Sequence, residues 1–297
     1  MKRRYIYLVL LALLPLFSCR KGEGMSEEPR VEFCFVQTVE GELPLTRGVV
    51  NGTSLVDSES GDRDLYVTSF LHPQFGNEIN YFVNERFVKT AGGWKREPSV
   101  YWPVGAVMDM MAYSSETPFN EFDISWGEPN NAEIMRLRVG NDRTQDDVLY
   151  GACWSQTNPG AGNVTAISMH HSQALLEFTF ARKAGSMAVC KVESVTITDC
   201  YLAGDLIVSN NAGAPTHRWD FRRYIASNAG VDDVNNVIGT VLTSTPVSLS
   251  MLVPEQEMKS VIVTYTVNGE QKTAVKELPH GNWVAGRHYT YVFTVTD

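Results

Sequence analysis

The sequence predicts an all-β chain built from β-sandwiches, and three observations carry that expectation. Apolar residues alternate with period two in several short runs. Clusters of Gly, Pro, Asn and Asp separate these runs. No window longer than two turns shows a convincing 3.6-residue period. Short strands punctuated by turn clusters are the pattern of sheets packed face to face.

The chain opens with Lys2-Arg3-Arg4, a basic n-region, followed by an almost wholly apolar stretch from Tyr5 to Phe17. That stretch has signal-peptide length; crossing a ~30 Å hydrocarbon core takes about 20 apolar residues. It ends Leu16-Phe17-Ser18-Cys19, which resembles the bacterial lipobox. Residues 1–18 are therefore expected to be a lipoprotein signal peptide. Cys19 is the expected lipidation site, because two or more acyl chains give a stable membrane anchor. Residues 19–30 contain one apolar side chain after the cysteine, Met25, and read as a flexible tether.

About 280 residues remain, enough for two domains of ~130 residues each. A net charge of −9 argues against a nucleic-acid partner. Cys34, Cys153, Cys190 and Cys200 match no zinc spacing. One strand carrying Cys190 and Cys200 would hold them about 30 Å apart, so they read as free thiols unless the chain turns back between them.

The first expected strand, 31–39, sets Val31, Phe33, Phe35 and Val39 against Glu32, Cys34, Val36 and Thr38. Residues 106–113 are apolar on both faces apart from Asp109, as in a central strand. Residues 174–180 alternate, with Ala174, Leu176, Phe178 and Phe180 on one face. Val261, Val263, Tyr265 and Val267 share a face and run into Asn268-Gly269, the strongest short hairpin signal. The last strand, 288–296, sets Tyr289, Tyr291, Phe293 and Val295 against His288, Thr290, Val292, Thr294 and Thr296. The run 156–163 is rich in turn formers and marks the expected boundary, giving an N-terminal sandwich over 31–160 and a C-terminal one over 161–297. The stretch 209–245 reads as irregular.

No motif for a nucleophile elbow, a P-loop, a dinucleotide fold or a zinc protease is present. His170-His171 would face opposite sides of a strand, which disfavours a shared metal. Asp146-Asp147 and Glu27-Glu28 read as solvated acidic pairs. No catalytic residue, metal or cofactor is expected. One segment could bind a ligand: Trp219, Phe221, Arg222 and Tyr224 combine rings with a guanidinium inside the irregular stretch. The bland reading of that segment tucks the rings against the fold and leaves the arginines wet.

Several landmarks fall in order after the lipobox: Leu45-Thr46-Arg47-Gly48, Tyr101-Trp102-Pro103, Met110-Met111-Ala112-Tyr113-Ser114, and Asp147-Val148-Leu149-Tyr150. Then come Ile167 through Leu175 with its His170-His171, Leu252-Val253-Pro254-Glu255-Gln256, and Trp283 through Tyr291. This order resembles the fimbrillin family, the type V pilin lipoproteins of anaerobic Gram-negative bacteria. The chain departs from the family pattern in Glu255 between Pro254 and Gln256, in Met at 110–111, and in the doubled histidine.

The resemblance implies two transthyretin-like β-sandwiches in tandem, a lipid-anchored precursor at the outer membrane and cell surface, and a place in a fimbrium. It also implies cleavage by an Arg-specific protease at Arg47–Gly48, departure of the strand at 31–39, and polymerisation with other pilin subunits by β-strand exchange. The rival expectations are a surface glycan-binding lipoprotein of a nutrient-uptake system and, least supported, an enzyme on a β-sandwich.

Overall fold

The computed structural model describes residues 30–40, 56–57, 61–72, 79–127, 133–143, 145–211, 214–231, 233, 236–278 and 281–295. Every named element among them is a strand. In chain order these are β1 Phe35–Glu40, β2 Val56–Asp57, β3 Gly61–Asp62, β4 Leu65–Leu71, β5 Ile79–Thr90, β6 Gly93–Lys95 and β7 Val107–Ser114. Next are β8 Ile124–Trp126, β9 Met135–Val139, β10 Leu149–Thr157, β11 Thr165–His171, β12 Gln173–Arg182, β13 Cys190–Cys200, β14 Gly204–Asn211 and β15 Ala214–Asp220. The last are β16 Ser227–Gly230, β17 Val247–Pro254, β18 Gln256–Glu257, β19 Val261–Val267, β20 Glu270–Lys276, β21 Asn282–Trp283 and β22 His288–Val295.

Seven strands close into a barrel in the order β1-β11-β10-β7-β4-β5-β6. Its interior holds Phe33, Phe35, Leu65, Val67, Phe87, Trp94, Met108, Met110, Leu149, Ile167 and Met169. A four-stranded sheet, β15-β14-β9-β8, packs over the outside of β4, β7 and β10. Tyr66, Phe70, Met111, Tyr113 and Tyr150 on the barrel meet Met135, Leu137, Val139, Leu206 and Val208 there. This is why β7 is apolar on both faces: it is buried from inside and outside.

Two further sheets, β17-β12-β22 and β16-β13-β19-β20, enclose a separate core. The expected face of β12 supplies Ala174, Leu176, Phe178 and Phe180, all 0% exposed. Trp283 lies at 0% exposure and donates its indole N–H to the Tyr291 hydroxyl at 2.8 Å. The β19–β20 hairpin turns at Asn268 (φ 52°) and Gly269 (φ 85°), the two positive φ values of a type I′ turn.

Hydrogen bonding crosses the 160/161 boundary. The turn-rich run 156–163 joins two paired strands, β10 and β11. Asn163 closes that turn, its N–H donating to Gly160 O and its side-chain amide to Pro159 O. Further along the chain, β14 pairs with β9 on the barrel's outer face. The expected irregular stretch also needs correction, because β15 occupies its first part. The run Ala-Pro-Thr-His-Arg-Trp-Asp has no β-branched or apolar stretch to mark a strand, yet it pairs along its length with β14.

Asp146 and Asp147 are not solvated. They are 6% and 0% exposed, because cations come to them. Arg63 Nη1 donates to Asp146 Oδ1 at 3.0 Å, Arg143 Nη1 reaches Asp146 Oδ2 at 2.6 Å, and His171 Nδ1 lies 2.8 Å from Asp147 Oδ2. Sequence spacing could not bring Arg63 to Asp146; barrel closure does. The four described cysteines are free thiols, with Cys190 and Cys200 at opposite ends of β13.

Candidate functional site: the seat of the first strand

The segment from Val31 to Phe35 enters the barrel with Val31, Phe33 and Phe35 inward. Val31, Phe33 and Phe35 are 7%, 1% and 0% exposed. Burying side chains of this size stabilises by about 1.5–3 kcal/mol each. Phe33 stacks on Trp102 with centroids 4.3 Å apart and meets the edge of Phe82 at 5.3 Å. Phe35 meets the edge of Phe87 at 4.9 Å. Trp94, 1% exposed, completes the lining.

The backbone of this segment is held unequally on its two sides. β1 pairs in parallel with β11 from Phe35↔Thr165 to Glu40↔His170, six residue pairs. Against β6 it makes a single pair, Phe35↔Trp94. Before β1 begins, Phe33 N donates to Val100 O and Trp102 N donates to Val31 O, each at 2.8 Å. The Tyr101-Trp102-Pro103 landmark thus acts as a clamp on the entry of the strand.

Gly93 makes the close approach possible. A Cβ there would sit 2.4 Å from Phe35 O and 2.8 Å from Cys34 Sγ, and its φ of +129° is one that other residues rarely adopt.

Polar groups pin the outer face. Lys95 Nζ lies 2.6 Å from Glu32 Oε2, and the Ser99 hydroxyl donates to Glu32 Oε1. The Lys95 hydrogen bond, with that from Ser99, holds the Glu32 carboxyl below its ordinary range. The Cys34 thiol donates to Gly92 O at 3.2 Å, and burial pushes its pKa up. Removing the segment would leave an aromatic groove and one unpaired edge of β11.

The expected cleavage site, Arg47–Gly48, and the lipidation site, Cys19, lie outside the described residues. Arg63, the next arginine along the chain, has a side chain 2% exposed, and its carbonyl accepts the Trp94 indole N–H at 3.0 Å.

The aromatic–arginine segment is largely engaged within the fold. Trp219 on β15 is half-buried and donates its indole N–H to Ser172 O at 2.8 Å. Phe221 lies between the Trp219 and Tyr201 rings, nearly parallel to both, with centroids 6.2 and 4.4 Å away. The Tyr224 hydroxyl donates to Asp205 at 2.6 Å. Arg222 is exposed but chelates Asp220, and that pairing holds the aspartate carboxyl far below its ordinary range. These side chains satisfy one another and leave little ring face open.

His171 faces inward to Asp147, and His170, on the opposite side of β11, stacks on Tyr150 with centroids 5.4 Å apart. Sequence reasoning named the strand 31–39 but missed its partners Trp94, Trp102, Gly93 and Lys95. Of these, only Trp102 stood in a noted motif.

A family model described as fimbrillin-like matches residues 59–297. No curated protein matches the chain. Among solved structures, a candidate cell adhesion protein from Bacteroides uniformis is 15% identical, with a TM-score of 0.51 over 90% of this chain and 93% of its own. Another from Bacteroides ovatus is 14% identical, with a TM-score of 0.49 over 90% and 93% of the two chains. A fimbrial assembly protein from Parabacteroides distasonis is 13% identical, with a TM-score of 0.46 over 90% and 92%. At such identities the first of these likenesses speaks for a shared fold alone.

Proposed function

This chain belongs to the fimbrillin-like family, and on that premise we propose that it is a fimbrial subunit or fimbrial adhesin of the cell surface rather than an enzyme. In this reading it is made as a lipoprotein acylated at Cys19 and carried to the outer membrane. An Arg-specific protease then cuts Arg47–Gly48. The severed segment, with the strand at 31–39 and the lipid, leaves its seat, and a strand of another subunit takes its place.

The observation that supports this most directly is the unequal hold on the first strand. Six pairs bind it to β11, against one to β6 and the two hydrogen bonds with Val100 and Trp102 at its entry, so its exit opens one long edge, that of β11. The groove left behind is lined by Phe82, Phe87, Trp94 and Trp102, which an incoming strand with alternating apolar residues would fill.

The test is brief treatment of the purified full chain with an Arg-specific protease, followed by N-terminal sequencing and an unboiled denaturing gel. The expected result is a new N-terminus at Gly48 and a ladder of detergent-resistant oligomers. A chain with no preferred cut at Arg47 overturns the maturation step. A clean cut that leaves only monomer removes the shaft-subunit reading and retains the adhesin.

A further inference from the structure

A second region of the barrel wall is built like a ligand site. A groove of about 510 Å³ lies between β5 and β8, lined by Asn80, Asn84, Glu121, Ser125 and Trp126 with Phe70, Val83 and Ile124. Its size falls within the ~300–1,000 Å³ of small-ligand clefts. None of its lining residues belongs to the first-strand seat or to the Trp219 segment.

The backbone that forms it is irregular in a specific way. The β4–β5 ladder shifts register twice, between Val67 and Ser69 and between Ser69 and Phe70. Opposite these shifts, Asn84 adopts φ +52°, and its N–H donates to the Thr68 hydroxyl at 2.8 Å instead of to a ladder carbonyl. Bulges of this kind re-aim side chains, and non-glycine residues held at positive φ cluster at binding sites. Across the groove, β8 is the edge strand of its sheet.

The polar chemistry of the lining is incomplete. Trp126 Nε1 is buried and has no hydrogen-bond partner among the described residues, while the Asn84 side chain is engaged with the Tyr113 hydroxyl. A ligand hydroxyl accepts from such an indole N–H. The remaining polar groups are an amide, a hydroxyl and one carboxylate. No lysine or arginine lines the groove among the described residues, so an anionic ligand would meet Glu121 without a compensating cation. Apolar Val83 and Ile124 suit the C–H faces of a sugar ring. Phe122, next in sequence to Glu121, stands 79% exposed on the Asn120–Asp123 turn.

We propose that the β5–β8 groove binds a neutral saccharide, with Asn80, Ser125 and Trp126 as the hydrogen-bonding residues and Glu121 accepting from ring hydroxyls. This rests on the cell-surface adhesion reading and names the ligand class that such a protein would hold.

The test applies the full chain, purified in detergent, to an array of neutral hexose and N-acetylhexosamine oligosaccharides. Hits are then titrated calorimetrically. The expected result is binding to neutral glycans that changes little between about 50 and 500 mM salt, because no charge pairing is involved. Asn80→Ala and Trp126→Phe should each weaken it by about tenfold, one lost hydrogen bond to a buried or oriented group. Asn80 is exposed, so its variant tests the site without endangering the fold. No neutral hit, binding confined to acidic glycans, or affinity that falls with Trp219→Ala but not with Asn80→Ala would each overturn the proposal. A chain that forms the protease-induced ladder yet binds no saccharide defeats this inference alone. One that binds saccharide without cleavage at Arg47 leaves it standing.

Discussion

His171 Nδ1 lies 2.8 Å from Asp147 Oδ2, with both side chains fully buried, at the point where the barrel strand β11 hands the chain to the sandwich strand β12. Burial alone would discharge the ring. The charge of Asp147 and its hydrogen bond outweigh that, so the histidine pKa is raised above 6.5.

A pH dependence follows from that sign. A raised folded-state pKa means the pair's contribution is complete below the unfolded value of about 6.5 and is lost as pH rises through the folded value. His171→Gln removes the histidine charge from buried Asp147 and should lower stability by about 3 kcal/mol near pH 6. The gap between wild type and variant should narrow toward about pH 9. Thermal melts of both proteins across that range would check it; a gap independent of pH would show that the pair acts through packing alone.

Phe33→Ala removes the ring that stacks on Trp102 and meets Phe82. Truncating a buried phenylalanine costs about 3–5 kcal/mol. If the first strand leaves after cleavage, this variant should release it faster, and oligomers should appear sooner after protease addition. Gel time courses of the two proteins would measure the difference.

Arg63 is the next arginine after Arg47, and the fold hides it. Its guanidinium donates to Asp146 Oδ1 and to Asp147 O, and its side chain is 2% exposed. An Arg-specific protease should therefore spare Arg63–Asp64 in the native protein and cut it only in denaturant. Peptide mapping by mass spectrometry would follow both bonds. Arg63→Gln, which leaves Asp146 and the Asp147 carbonyl short of a donor, should cost about 3 kcal/mol or more in chemical denaturation.

Burial pushes the Cys200 thiol up to about 12 and leaves it 0% exposed. In the native protein it should resist iodoacetamide near pH 8 and react once unfolded, because only the thiolate attacks. Labelling followed by mass spectrometry reads this directly.

Much of the strand content could be read from period-two alternation. The β19–β20 hairpin was marked by Asn268-Gly269, and β12 and β22 by their inward apolar residues. What was not legible came from long-range pairing. Nothing local in 31–40 says that β1 runs parallel to β11 or that Trp94 and Trp102 close around it, and barrel closure follows from those contacts. β15 was invisible because its half-buried residues are Pro215, His217 and Trp219, a poor strand signature. The β5–β8 groove was hidden for a related reason: β8 is three residues long, and Asn84 earns its position through a register shift that only the folded ladder shows.

The terminal strands share one geometry: β1 lies parallel to β11 over six pairs, and β22 lies parallel to β12 over eight. Tension along such a strand loads its hydrogen bonds in shear, so they resist together instead of unzipping one after another. A filament pulled by fluid flow would thus find its subunits mechanically stiff at both of these ladders. If the proposed cut at Arg47 frees the first strand, the same parallel contact would hold it fast until that cut is made.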